Sequence, residues 1–166
     1  MNNVKPDFLL KLTVLLFVSV FLVFPLDLAA AQDDEFQAVE LDRFIEQEKE
    51  TAEAFKKKVI RKMEPVKFSA KMKRYPEEKK MSYVYMAMQV AGVNPLPEVK
   101  HRMFVESGEG RIIPVYVEKQ AAAKLRADLK EEQAAQFLGY HVYTYDKGPA
   151  ILVVDFLPGK DSGKAD

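Results

Sequence analysis

The side chains best placed to engage a ligand are tyrosines and basic residues in alternating runs. Tyr83 and Tyr85 stand two apart in Ser82–Val90, and His141, Tyr143 and Tyr145 stand two apart in Tyr140-His-Val-Tyr-Thr-Tyr145. Lys67, Lys71 and Lys73 share the polar phase of the segment before them. Residues two apart on a strand lie on one face, so these spacings predict Tyr- and Lys-bearing faces. Aromatic rings on such faces can stack on nucleobases at about 1–3 kcal/mol each, and on sugars in the same way. The expected ligand-binding set is Tyr83, Tyr85, Lys71, Lys73, His141, Tyr143 and Tyr145. The competing account is structural: Tyr suits a half-buried pleated surface and needs no ligand to be there.

Other chemistry is poorly supported. Glu106 and Glu109, near Asp155 or Asp146, could do acid–base work, but they flank a Gly-rich turn in which carboxylates are ordinarily solvated. No Asp-x-Asp calcium pattern occurs. Met81, Met86 and Met88 resemble a soft-metal patch, yet strand alternation would turn Met86 and Met88 into a core. His141 with Tyr145 could ligate haem, although four residues along a strand bring two side chains to one face without any cofactor. The chain has no Cys and only two His, which excludes disulfides, thiolate metal sites and Cys nucleophiles. No serine elbow, phosphate loop, His-Glu-x-x-His or Gly-x-Gly-x-x-Gly is present. The expectation is a non-enzymatic protein with no metal and no cofactor.

Lys plus Arg total 25 and Asp plus Glu total 25, for a formal net charge of zero. That balance argues against a dedicated nucleic-acid partner, which requires a concentrated basic field. The charge is unevenly spread. Residues 12–25 carry none, Lys5 and Lys11 precede them, and Pro25 and Ala29-Ala-Ala31 follow. This is the pattern of a secretory signal peptide over residues 1–31, too short in its apolar run to span a bilayer comfortably. Cleavage after Ala31 leaves a mature chain that is still neutral, because Lys5 and Lys11 leave with Asp7 and Asp27. An uncleaved anchor is the alternative. Export to the periplasm or medium, with an envelope ligand or protein as partner, is the expectation.

The elements that must position the candidate residues follow from periodicity. Residues 32–64 contain no Gly or Pro and read as helix, stopped by Pro65. Leu41, Ile45, Glu48, Ala52, Phe55 and Val59 recur at coiled-coil spacing. The seam Leu41, Ile45, Phe55 and Val59 could meet a second chain, giving an oligomer or an assembly role, or lie on the chain's own domain. Val66, Phe68, Ala70 and Met72 alternate with polar residues as a half-buried strand, and Pro76–Lys80 is a polar turn. Ser82–Val90 reads as a second strand, with Val84, Met86, Met88 and Val90 on one face. His101–Glu106 and Arg111–Val117 flank Ser107-Gly-Glu-Gly110 as a hairpin. Glu118 to about Glu132 is helical, and Tyr140–Tyr145 with Ala150–Phe156 form a closing hairpin. Residues 159–166 read as a disordered polar tail.

This order predicts an α+β chain, mainly β: a small antiparallel barrel over residues 65–158 behind a long N-terminal helix. Arg111-Ile-Ile-Pro-Val-Tyr-Val117, then a helix, then Gly139–Tyr145 and Pro149–Phe156 resembles the second half of an OB-fold, a five-stranded Greek-key barrel. In architecture the chain is similar to exported bacterial OB-fold proteins. The resemblance is topological, covers about residues 66–157, and implies a binding barrel. The segment 101–106 departs from it, as half of a long bent strand, as an insertion, or as a true sixth strand that would mean a different barrel.

Overall fold

The computed structural model describes residues 35–159, which fall within one compact unit. The expected signal peptide, and the expected polar tail beyond Gly159, lie outside the described residues. A two-residue strand β1 (Gln37–Ala38) leads into helix α1 (Leu41–Phe55). The Glu40 side chain caps α1 by accepting from the N–H groups of Asp42 and Arg43 at 2.9 and 2.8 Å, satisfying two of the donors that a helix start leaves open. The helix ends at Lys56, which takes the left-handed conformation (φ 53°).

The helical segment is therefore shorter than its composition predicts. At the front, Phe36 is buried, its ring 5.6 Å from that of Tyr140, and Gln37 pairs in parallel with Val66. At the back, Val59 and Ile60 begin strand β2 (Val59–Glu78) and pair with Thr144 and Tyr143. Sheet pairing outweighs a weak local preference. The boundary expected at residue 64 falls inside β2. Pro65 does not stop a helix; it sits in the strand just past a register shift between Ile60 and Glu64, where a missing N–H is tolerated.

The largest correction is at Ser82–Val90. It is a helix, α2, not a strand. Val84, Ala87 and Met88 are its buried residues, an i, i+3, i+4 stripe. Met86 is 39 % exposed, so it does not point into the core as strand alternation requires, whereas Met81 and Met88 are buried. With α2 removed from the strand count, β3 (Val99–Glu106) is the next strand after β2. Then come β4 (Ile112–Glu118), α3 (Lys119–Asp128), β5 (Ala134–Tyr145) and β6 (Gly148–Pro158), close to expectation.

The fold is mixed α+β. The sheet runs β1-β2-β3-β4-β6-β5, and β2 pairs with β5 as well. Beginning at β2, the pairings lead through β3, β4, β6 and β5 back to β2. Only β1–β2 and β4–β6 are parallel. Two apolar clusters result. One joins Leu41 and Ile45 of α1 and Leu125 of α3 to Phe68, Met103, Phe137, Ile151 and Phe156. The other joins Val84 and Met88 of α2 to Val99, Val142, Tyr143 and Leu152. Alternate residues of β6 feed opposite clusters, Ile151 and Val153 one, Ala150 and Leu152 the other. Among the described residues, no helix is long and apolar enough to cross a membrane.

Candidate functional site

The second cluster ends in an open cavity of about 370 Å³. Its floor and walls are aromatic. Tyr143 of β5 is buried at the centre, and Tyr83 of α2 packs edge-on at 4.8 Å between ring centroids. Tyr145 lies 5.8 Å away and Tyr116 of β4 lies 6.3 Å away. The Tyr116 and Tyr143 hydroxyls hydrogen-bond at 2.5 Å. Burial pushes the phenols of Tyr143 and Tyr145 above their ordinary range. At neutral pH these two phenols supply hydrogen bonds and ring faces but no charge.

The rim is basic. Lys58, Lys79, Lys80, Arg102 and Lys147 all line the cavity, and no Asp or Glu does. Among the described residues, none of the five has a carboxylate at ion-pairing distance. Lys58 Nζ sits 3.9 Å from the centroid of the Tyr83 ring, a cation–π contact. Met81, Ser82 and Tyr83 bring the first turn of α2, which has no side-chain cap, to the same wall.

Three of the expected binding residues, Tyr83, Tyr143 and Tyr145, thus come together here. The others do not. A helix puts residues two apart on different faces, so Tyr85 leaves Tyr83: its hydroxyl accepts from the Val99 N–H at 2.7 Å and donates to the Val99 carbonyl at 3.1 Å. Lys71 and Lys73 pair with Glu106 at 3.8 and 2.8 Å, and Lys73 also pairs with Glu132 at 2.7 Å. Those carboxylates hold the Lys73 ammonium above its ordinary pKa.

His141 also lies elsewhere. A register shift between His141 and Tyr143 places both Val142 and Tyr143 on the α2 side and turns His141 toward α1. It is not on the Tyr143–Tyr145 face, and its four-residue spacing to Tyr145 creates no shared site. His141 is buried, edge-on to Phe44 at 5.2 Å, with Nε2 3.1 Å from the Tyr143 carbonyl and 3.2 Å from Thr144 Oγ1. Thr144 gives its one hydroxyl proton to Glu48, so it cannot also donate to the imidazole. The group has the residues of an acid–histidine–hydroxyl relay but the wiring of a sealed core network.

Burial lowers the His141 pKa, against an opposing pull from Glu48. The sign of the linkage follows. Below an unfolded histidine pKa of about 6.5, the unfolded chain gains a proton that the folded chain resists, so stability falls as pH falls. We expect the urea midpoint to drop between about pH 7 and 5.5 and the drop to be smaller in His141→Asn. Parallel pH profiles for the two proteins would contradict this.

The remaining candidates are structural. Glu109 pairs with Arg111 at 3.1 Å and Asp155 with Lys124 at 2.6 Å, far in role from Glu106. Among the described residues, no group of three or more His, Asp or Glu could hold a metal. Of the proposed partner seam, Leu41 and Ile45 are spent on the chain's own core, Val59 belongs to β2, and Phe55 is 55 % exposed. Tyr116 and all five rim cations, Lys58, Lys79, Lys80, Arg102 and Lys147, are absent from the set that the sequence predicts. Tyr116 carried a signal: it shares the alternating phase of β4 with Pro114, opposite the buried Val115 and Val117. No family model matches the chain, and no curated protein is significantly similar to it.

Proposed function

We propose that the chain is an exported, non-enzymatic binding protein built on an OB-like barrel, with its ligand in the Tyr83–Tyr116–Tyr143–Tyr145 cavity. The observation that carries this reading is the convergence on one concave surface of four tyrosines and five cations that have no carboxylate at ion-pairing distance among the described residues. The ring of pairings supports the barrel. So does a 20-residue β2 that pairs with β5 over residues 59–71 and with β3 over residues 71–78, and so does a helix between the third and fourth long strands. OB barrels bind ligands over the second and third strands and the loops joining strands one to two and four to five. Here those parts are β3 with Arg102, β4 with Tyr116, the β2–β3 connection with Lys79–Tyr83, and the β5–β6 turn with Lys147. The volume suits a small ligand rather than a protein surface. Export rests on the leader at residues 1–31.

The test uses the chain's own fluorophore, since it has seven Tyr and no Trp. Titration with the soluble fraction of an envelope extract is expected to change tyrosine emission. Tyr145→Ala should remove the change and Tyr85→Ala should keep it. The reverse pattern would move the site off this cavity. The exported protein should begin at Gln32; an intact Met1 would mean a retained leader.

A further inference from the structure

We infer that the cavity takes a phosphomonoester carried on a ring, a nucleotide-like or sugar-phosphate small molecule. The inference rests on the reading that this cavity is the binding site. Its first support is charge. Five cations meet around the cavity with no acid among its lining residues, while Lys71, Lys73, Lys100, Arg111, Lys119 and Lys124 all have carboxylate partners. Like charges gathered without compensation repel. A carboxylate ligand would neutralise one of them, whereas a phosphomonoester brings about 1.5–2 negative charges and three acceptor oxygens.

The second support is the aromatic wall. Tyr116 and Tyr145 are half-buried beside the buried Tyr143, so each retains surface on the cavity side. A bare anion would gain nothing from those rings; a base or sugar would. Lys58 already covers one face of Tyr83, which leaves the Tyr116–Tyr145 side for the ring and the Lys79, Lys80 and Lys147 rim for the phosphate. The third support is size. A cavity of about 370 Å³ is at the small end of ligand pockets, and a polymer would need a groove that tracks its backbone.

The experiment measures binding of four probes to the full mature chain by calorimetry: adenosine, adenosine 5′-monophosphate, glucose and glucose 6-phosphate. At least one phosphorylated probe should bind about tenfold or more tighter than its parent. Lys80→Ala/Lys147→Ala should remove that advantage, and Lys71→Ala, on another face, should keep it. Both substituted lysines are exposed, so the double variant is expected to fold; its thermal transition checks this. Preference between the two phosphorylated probes tells a base from a sugar. If parent and phosphorylated probes bind alike and Tyr145→Ala abolishes both, the phosphate inference is overturned while the cavity reading stands. If no probe binds at about 10 mM, the phosphate inference is likewise overturned, and the extract titration decides the cavity reading separately.

Discussion

Gly139→Ala is expected to lower stability by about 4 kcal/mol or more, and the melting temperature by about 10–20 °C. A Cβ at Gly139 would stand 2.4 Å from the Leu152 carbonyl oxygen, 3.0 Å from its carbon and 3.2 Å from Val153 Cα. All three atoms are backbone, so no side chain can swing aside. Gly139 is also held from both sides, pairing with Val66 of β2 and Val153 of β6. Relief therefore requires β5 and β6 to part, and Leu152 belongs to the apolar cluster beneath the tyrosine cavity. Against a typical domain stability of about 5–15 kcal/mol, this is a large share. Gly108→Ala is the control: its Cβ would meet only Asp42 Oδ2, at 3.7 Å, and the change should stay within about 0.5 kcal/mol. Thermal denaturation of both variants decides the matter. A Gly139→Ala protein as stable as the parent would mean that β5 and β6 do not approach this closely.

Asp42→Ala is expected to cost about 3–5 kcal/mol, the range for stripping the partner from buried charged hydrogen bonds. Asp42 is 3 % exposed in the first turn of α1. Its Oδ1 accepts from the Ser107 hydroxyl, its Oδ2 accepts from the Glu109 N–H at 3.0 Å, and Arg111 Nε stands 3.6 Å away. Ser107 Oγ in turn accepts from the Arg111 N–H at 3.0 Å. One carboxylate thus ties α1 to the β3–β4 turn. Its loss strands a buried hydroxyl and an amide donor together. Asp42→Asn, which retains one acceptor, should cost less. Urea denaturation measures the loss, and amide exchange at residues 107–111 should quicken in step. An Asp42→Ala cost below about 1 kcal/mol would show that the tie is dispensable.

What the sequence made legible was what local patterns enforce. The alternation Val66–Phe68–Ala70–Met72 is buried as read, and the hairpins around residues 107–110 and 146–148 follow from their turn residues. The helix α3 declared itself through Ala121, Ala122 and Leu125. The misreading of Ser82–Val90 has a definite cause. Large and small apolar residues alternate there, but Ala and Met favour helix, and Val84, Ala87 and Met88 fit a 3.6-residue period equally well. Fixing that one element moves Tyr85 away from Tyr83 and promotes β3 to a principal strand.

The site was half legible for related reasons. Tyr143 and Tyr145 share a face as their spacing requires, but the irregularity beside His141 reverses the side on which the histidine lies, and a single sequence gives no sign of it. The basic rim draws on Lys58, Lys79, Lys80, Arg102 and Lys147, residues from four separate stretches. The formal net charge of zero conceals this local field, because the acids gather elsewhere with other lysines.

If the tyrosine cavity is the binding site, the seven tyrosines report it residue by residue. Ring resonances would be followed by NMR with isotope-labelled tyrosine, while adenosine 5′-monophosphate or glucose 6-phosphate is added. Signals of Tyr83, Tyr116, Tyr143 and Tyr145 are predicted to move, and those of Tyr75, Tyr85 and Tyr140 to stay. Movement confined to Tyr75, Tyr85 or Tyr140 would contradict it.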